Sequence, residues 1–149
     1  MKIWTLFAAA ALAVPTAAFA CSCVSSEDPA ELKQFAADTA KSALAVVEAE
    51  TVTAYQQGGS GEMMRVVRTL AGTAPTEFRI ERGPFPSGAS CDVLYEKGQR
   101  SLMILYAPST PATGVYRTSG LCTDLLLQKP AFRDELVRQL SSKTSSERG

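Results

Sequence analysis

Apolar and polar residues alternate through the middle of this chain and change to a helical period near either end. Asp28-Pro29-Ala30-Glu31 is a helix start: Asp28 can cap, Pro29 suits the first helical position, and Glu31 completes a capping box. Leu32, Phe35, Ala36 and Ala40 follow at helical spacing and predict a short helix to about Ala40, with one face packed on a core. From Ser42 to Tyr55, Leu44, Val46 and Glu48 fall on one face and Ala45, Val47 and Ala49 on the other. The Ala-rich first half also suits a helix, whereas Thr51-Val52-Thr53 favours strand. Gln56 to Gly61 reads as a Gly-rich hairpin loop, answered by a second strand from Glu62 to Leu70. Ala71 to Pro75 is a turn, and Glu77-Phe78-Arg79-Ile80 alternates as a third strand. Gly83 to Ser90 is a turn-rich loop. Ser101 to Ala107 is the strongest strand pattern, and Val115-Tyr116-Arg117 gives a short fifth strand. Lys129-Pro130 opens a closing helix with Phe132, Leu136, Val137 and Leu140 on one side.

Five strands, few long connections and two flanking helices predict a mainly β fold. The expected architecture is an OB-like five-stranded barrel with a short N-terminal and a C-terminal helix. A β-sandwich needs roughly seven strands, which are hard to find here. Residues 1–20 have the form of a signal peptide: Lys2, an apolar run, then Pro15 and the small-residue ending Ala18-Phe19-Ala20. That ending fits an ordinary signal-peptidase site better than a lipobox. Cleavage after Ala20 makes Cys21 the first mature residue. The expected domain then spans 21–140, with 141–149 as a disordered polar tail. Secreted or periplasmic localisation follows, the short Ala-rich leader being compatible with bacterial export.

The chain is electrically balanced, with 15 basic and 15 acidic residues, so charge gives no argument for nucleic acid. No mature segment approaches the length of a membrane span. Histidine is absent, which removes the commonest general base and metal ligand together. No cofactor is implied. Asp92, Glu96, Asp124 and Asp134 lie near loops and read as solvated surface, so the chain is not read as an enzyme. Tyr95, Tyr106 and Tyr116 could form an aromatic face, although charge and export argue against a nucleic-acid partner. Met63, Met64 and Met103 read as core filling.

All four cysteines, Cys21, Cys23, Cys91 and Cys122, lie beyond the leader, and an oxidising compartment makes two disulfides the expectation. Pairing Cys21 with Cys23 would close a very small strained ring. The two remaining pairings both tie the terminus to Cys91 and Cys122, each closing a long loop worth about 4–5 kcal/mol in the chain-entropy model. No C-x-x-C motif points to redox chemistry, and the spacings match no zinc-ribbon pattern.

Cys21-Ser22-Cys23-Val24 at a mature N-terminus, followed by a short helix, resembles the tissue inhibitors of metalloproteinases and the wider netrin-like module. Further landmarks follow in the same order: Val67-Arg68-Thr69-Leu70-Ala71-Gly72, Phe78-Arg79-Ile80, Ser90-Cys91, Gly98 before Leu102-Met103, and Gly120-Leu121-Cys122. The resemblance covers Cys21 to Cys122 and is to a single-domain, bacterial-type version. It implies bridges Cys21–Cys91 and Cys23–Cys122. It also implies an inhibitory ridge of Cys21, Ser22, Cys23 and Val24 beside Ser90 and Cys91. On that ridge the amine and carbonyl of Cys21 would chelate the catalytic zinc of a target metalloendopeptidase, and Ser22 would enter its specificity pocket. The family's animal members carry more cysteines and a second subdomain. Ser25 stands where a proline is usual, and Asp92 where a glycine is typical. The competing expectation is a non-inhibitory, disulfide-stapled interaction module of the cell envelope, with another exported protein as partner.

Overall fold

The computed structural model describes Cys23 and residues 26–56, 61–82 and 91–146. The elements in chain order are α1 (Pro29–Ser42), β1 (Ala43–Thr53), β2 (Met63–Gly72), β3 (Glu77–Ile80), β4 (Arg100–Tyr106), β5 (Val115–Thr118), α2 (Leu121–Leu127) and α3 (Pro130–Ser146). The strands form a closed barrel in the order β1-β2-β3-β5-β4. All neighbours are antiparallel except β3 and β5, which run parallel.

The start of α1 follows from local chemistry. The Asp28 side chain accepts a hydrogen bond from the Ala30 amide at 2.8 Å, and Pro29 occupies the first turn, where a missing N–H costs nothing. Leu32, Ala36 and Ala40 are buried as the spacing predicts, but Phe35 is left 39 % exposed. Its place on the helix lies at the edge of the packed stripe. The helix passes into β1 without a loop, Ala43 taking extended backbone angles.

β1 is strand throughout, so the Ala-rich half is claimed by pairing on both sides rather than by helix propensity. Its alternation separates two cores. Ala45, Val47 and Ala49 face the barrel interior with Met64, Phe78, Ile80, Tyr95, Met103 and Leu105. Ala43 and Val46 join Ala71 and Ile104 beneath Leu32, Ala36, Leu127, Phe132, Leu136 and Leu140 of the helices. Full burial of Phe132 or Leu136 contributes about 1.5–3 kcal/mol each. The small alanines of β1 leave room inside a narrow barrel for the larger residues opposite.

Register shifts along the β1–β2 ladder bend this pair enough to help close the barrel. The strand β2 continues to Gly72, two residues into the expected turn, because Ala71 pairs with Val46 and Gly72 with Ala45. Gly72 has φ +80°, and a Cβ there would stand 2.1 Å from the Leu44 carbonyl oxygen. Only glycine combines that dihedral with that approach.

Two helical features depart from the hydrophobic pattern. Helix α2 is additional, so three helices flank the barrel rather than two. Its N-terminal flank, Gly120, offers no side-chain cap, and seven residues give too short a window for periodicity. Helix α3 runs to Ser146, so residues 141–146 are helical rather than a disordered tail; residues 147–149 lie outside the described residues. The hydroxyls of Ser142, Thr144 and Ser145 donate to the carbonyls of Gln139, Leu140 and Ser141, satisfying polar groups that composition alone assigns to water.

The tyrosines form no aromatic face. Tyr95 is buried in the barrel core, Tyr116 packs edge-on against Phe78, and Tyr106 packs under the helices. Met64 and Met103 are core residues. Among the described residues, no helix is long and apolar enough to cross a membrane.

Candidate functional site

Three of the four cysteines converge at one end of the barrel. Cys23 is bridged to Cys122 at the start of α2, with their Cα atoms 5.1 Å apart. The backbone N–H of Leu121, next to Cys122, donates to the Cys91 carbonyl at 3.2 Å. Cys91 has φ 58°, a left-handed conformation that costs a non-glycine residue about 1–3 kcal/mol and persists where surrounding contacts impose it. No described cysteine is a free thiol. Cys21, Ser22, Val24 and Ser90, the other expected ridge residues, lie outside the described residues.

The chain is held a second time four residues beyond Cys23. Glu27 forms an ion pair with Lys129, in the turn between α2 and α3, and the Asp28 amide donates to Ser26 Oγ at 3.0 Å. Cys23 and Glu27 are therefore each anchored to the α2–α3 end of the molecule.

A cleft of about 490 Å³ opens beside the bridge, lined in part by Glu81, Ser109, Arg117, Gly120, Cys91 and Cys122. Glu81 accepts the Ser109 backbone N–H at 2.9 and 3.1 Å, which holds its carboxyl below the usual range. The Arg117 side chain donates to the Ala107 carbonyl at 2.8 Å. Leu94, Leu121 and Leu125 are exposed large apolar residues on the 91–99 segment and α2.

Beneath this surface lies a polar network. Glu62 and Arg82 make a buried two-point pair, at 2.8 Å (Nε to Oε2) and 2.6 Å (Nη2 to Oε1). Arg82 Nη2 also donates to the Val93 carbonyl at 2.5 Å, and the Tyr95 amide donates to Glu62 at 3.3 Å. This pair thus binds the 91–99 segment to the mouth of the barrel. Tyr95 in turn donates its hydroxyl to Asp124 Oδ2 at 3.2 Å. Ser119 Oγ donates to Asp124 Oδ1 at 2.5 Å while accepting the Ile104 amide at 3.1 Å. Burial raises the Asp124 carboxyl to about 6 against the opposing effect of these two hydrogen bonds. Burial, then the neighbouring Asp124 charge, push the Tyr95 phenol well above its ordinary value.

Asp124 is therefore not solvated surface. It sits within α2, half-buried, with both oxygens occupied. Its partners are 29 and 5 residues away in sequence, so no local motif reveals them. Glu62 and Arg82 were equally hidden: 20 residues separate them, and each looks like an ordinary strand-end charge. Among the described residues, no group of three or more His, Cys, Asp or Glu side chains could hold a metal ion. No protein-family model, curated protein or solved structure matches this chain.

Proposed function

We propose that this protein is an exported inhibitor of zinc endopeptidases, acting through a terminal amine at Cys21 after removal of residues 1–20. The observation that carries the reading is the Cys23–Cys122 bridge, one of the two pairings the resemblance implies, with Cys91 hydrogen-bonded alongside. With Cys23 and Cys122 joined, Cys21 is the partner left for Cys91. The strand order β1-β2-β3-β5-β4 and the parallel β3–β5 pair support reading the barrel as OB-like.

The chemistry is simple. A catalytic zinc keeps one coordination position for water. A neutral terminal amine and the adjacent carbonyl oxygen would displace that water as a five-membered chelate. Such an amine titrates near 7.7–8.0, so a useful neutral fraction exists near neutrality, and coordination favours it further. Ser22 would point into the target's specificity pocket, and Val24, Ser90 and Cys91 would complete the contact ridge. The anchors at Cys23 and Glu27 lower the ordering cost of binding.

The test is a panel of zinc endopeptidases assayed with mature protein, with protein carrying one extra residue before Cys21, and with amine-acetylated protein. The mature form inhibits, and both modified forms lose inhibition by at least a hundredfold. Equal inhibition by all three overturns the mechanism. No inhibition by any form leaves the envelope interaction module as the better reading.

A further inference from the structure

We propose that Asp124, with Ser119 and Tyr95, forms a proton-operated latch that joins α2 to the 91–99 segment more firmly when its carboxyl is protonated. The geometry is a three-way junction. Asp124 lies on the helix that carries Cys122, Tyr95 on the segment that begins at Cys91, and Ser119 at the end of β5, tied to β4 through Ile104. One carboxyl thus links both cysteine-bearing segments to the barrel wall. Among the described residues it has no ion pair. The groups that face it are Tyr95 from the 91–99 segment, Ser119 just after β5 and Tyr106 from β4. Arg82 and Glu62 act on Tyr95, and Arg117 acts on Tyr106, without neutralising the carboxyl.

A carboxylate held this way is satisfied in hydrogen bonds but deprived of water. Opening the junction returns it to solvent, and the gain is larger for the ionised form. The closed form therefore holds a proton up to about pH 6, whereas an open one releases it near 3.8. Between these values opening becomes progressively easier as pH rises, reaching a plateau above 6. The separation sets an upper limit of about a hundredfold over the whole pH range, and about ten- to twenty-fivefold of it falls between pH 4.5 and 7.5. The consequence for the ridge, firmer presentation in acid, rests on the inhibitory reading; the latch itself does not.

The experiment is amide hydrogen exchange on the mature, disulfide-intact protein at pH 4.5 and 7.5, corrected for intrinsic rates. The reporters are the Leu121 and Asp124 amides, which donate to the Cys91 and Gly120 carbonyls. Their protection is expected to be about ten- to twenty-fivefold higher at pH 4.5, yet below that of the β1–β4 ladder. The Asp124→Asn variant should show a flat profile. Unchanged protection in the wild type, an unaltered profile in Asp124→Asn, or protection equal to that of the barrel ladder overturns the latch. Should Asp124→Asn fail to fold, a carbon-13 titration of the wild-type Asp124 carboxyl replaces it. A midpoint near 6, tracked by amides in 91–99 and 120–127, supports the latch, and a midpoint near 4 overturns it. No protease enters these measurements, so a failure to inhibit and a failure of the latch are read separately.

Discussion

Replacing Arg82 by Met leaves the Glu62 carboxylate sealed in the barrel mouth without its cation. In the folded protein both side chains of the pair are buried, and the two contacts of 2.8 and 2.6 Å are the strong, forked kind. Stripping one partner from such a pair costs about 3–5 kcal/mol, because the remaining charge has neither water nor a counter-ion. The Val93 carbonyl loses its donor at the same time. The Glu62→Met, Arg82→Met double variant removes both charges and should recover much of the loss. A residual cost of about 1–3 kcal/mol remains for the unpaired Val93 carbonyl and Tyr95 amide. The assay is equilibrium urea unfolding with disulfides intact. A small domain loses about 1–3 kcal/mol per molar urea, so the single variant should shift its midpoint down by about 1.5–2.5 M at a central slope of about 2 kcal/mol per molar. Arg65→Ala, which breaks an exposed pair with Glu77, serves as control and should cost less than about 1 kcal/mol. A single Arg82 variant within 1 kcal/mol of wild type, or a double variant no more stable than the single, would refute the reasoning.

Two further outcomes follow from single positions. Gly72→Ala should lose at least about 2 kcal/mol in the same urea assay, since it adds left-handed strain to a backbone overlap with Leu44; a loss below 0.5 kcal/mol would show that the β1–β2 bend relaxes freely. One contribution to the pH dependence of stability should carry the sign of Asp124. Its folded value of about 6 lies above the ordinary 3.8, so the folded state binds the extra proton between them, and Asp124 lowers stability by about 1–3 kcal/mol as pH rises through that window. The difference between wild type and Asp124→Asn across pH 4–7 isolates this contribution, and a difference independent of pH would sink it.

Much of the barrel was legible because its strands obey local rules. Glu77–Ile80 is bounded as the alternation predicts, and the Asp28-Pro29 cap places α1 to within a residue or two. The ambiguity over the Ala-rich start of β1 was real. It is resolved by ladders on both sides, a tertiary fact that no window contains. Helix α2 and the last turns of α3 were missed for related reasons: one is too short to show a period, and the other is polar and satisfies its own hydroxyls. The cysteine spacing left two pairings open, and the family likeness singled out the Cys23–Cys122 partner. The network of Glu62, Arg82, Tyr95, Asp124 and Ser119 gave no advance signal, because charged and hydroxyl residues announce burial only when the fold closes over them.

The Cys23–Cys122 bond spans 99 positions and encloses α1 and all five strands. Synthesis from the amino end delivers the first of these sulfurs long before the second. During that interval the early thiol has only wrong neighbours to meet, Cys21 foremost. Maturation must therefore finish with a late oxidation, or with reshuffling of a premature one. Host cells lacking a thiol–disulfide exchange catalyst should accumulate scrambled product even when every strand is able to form.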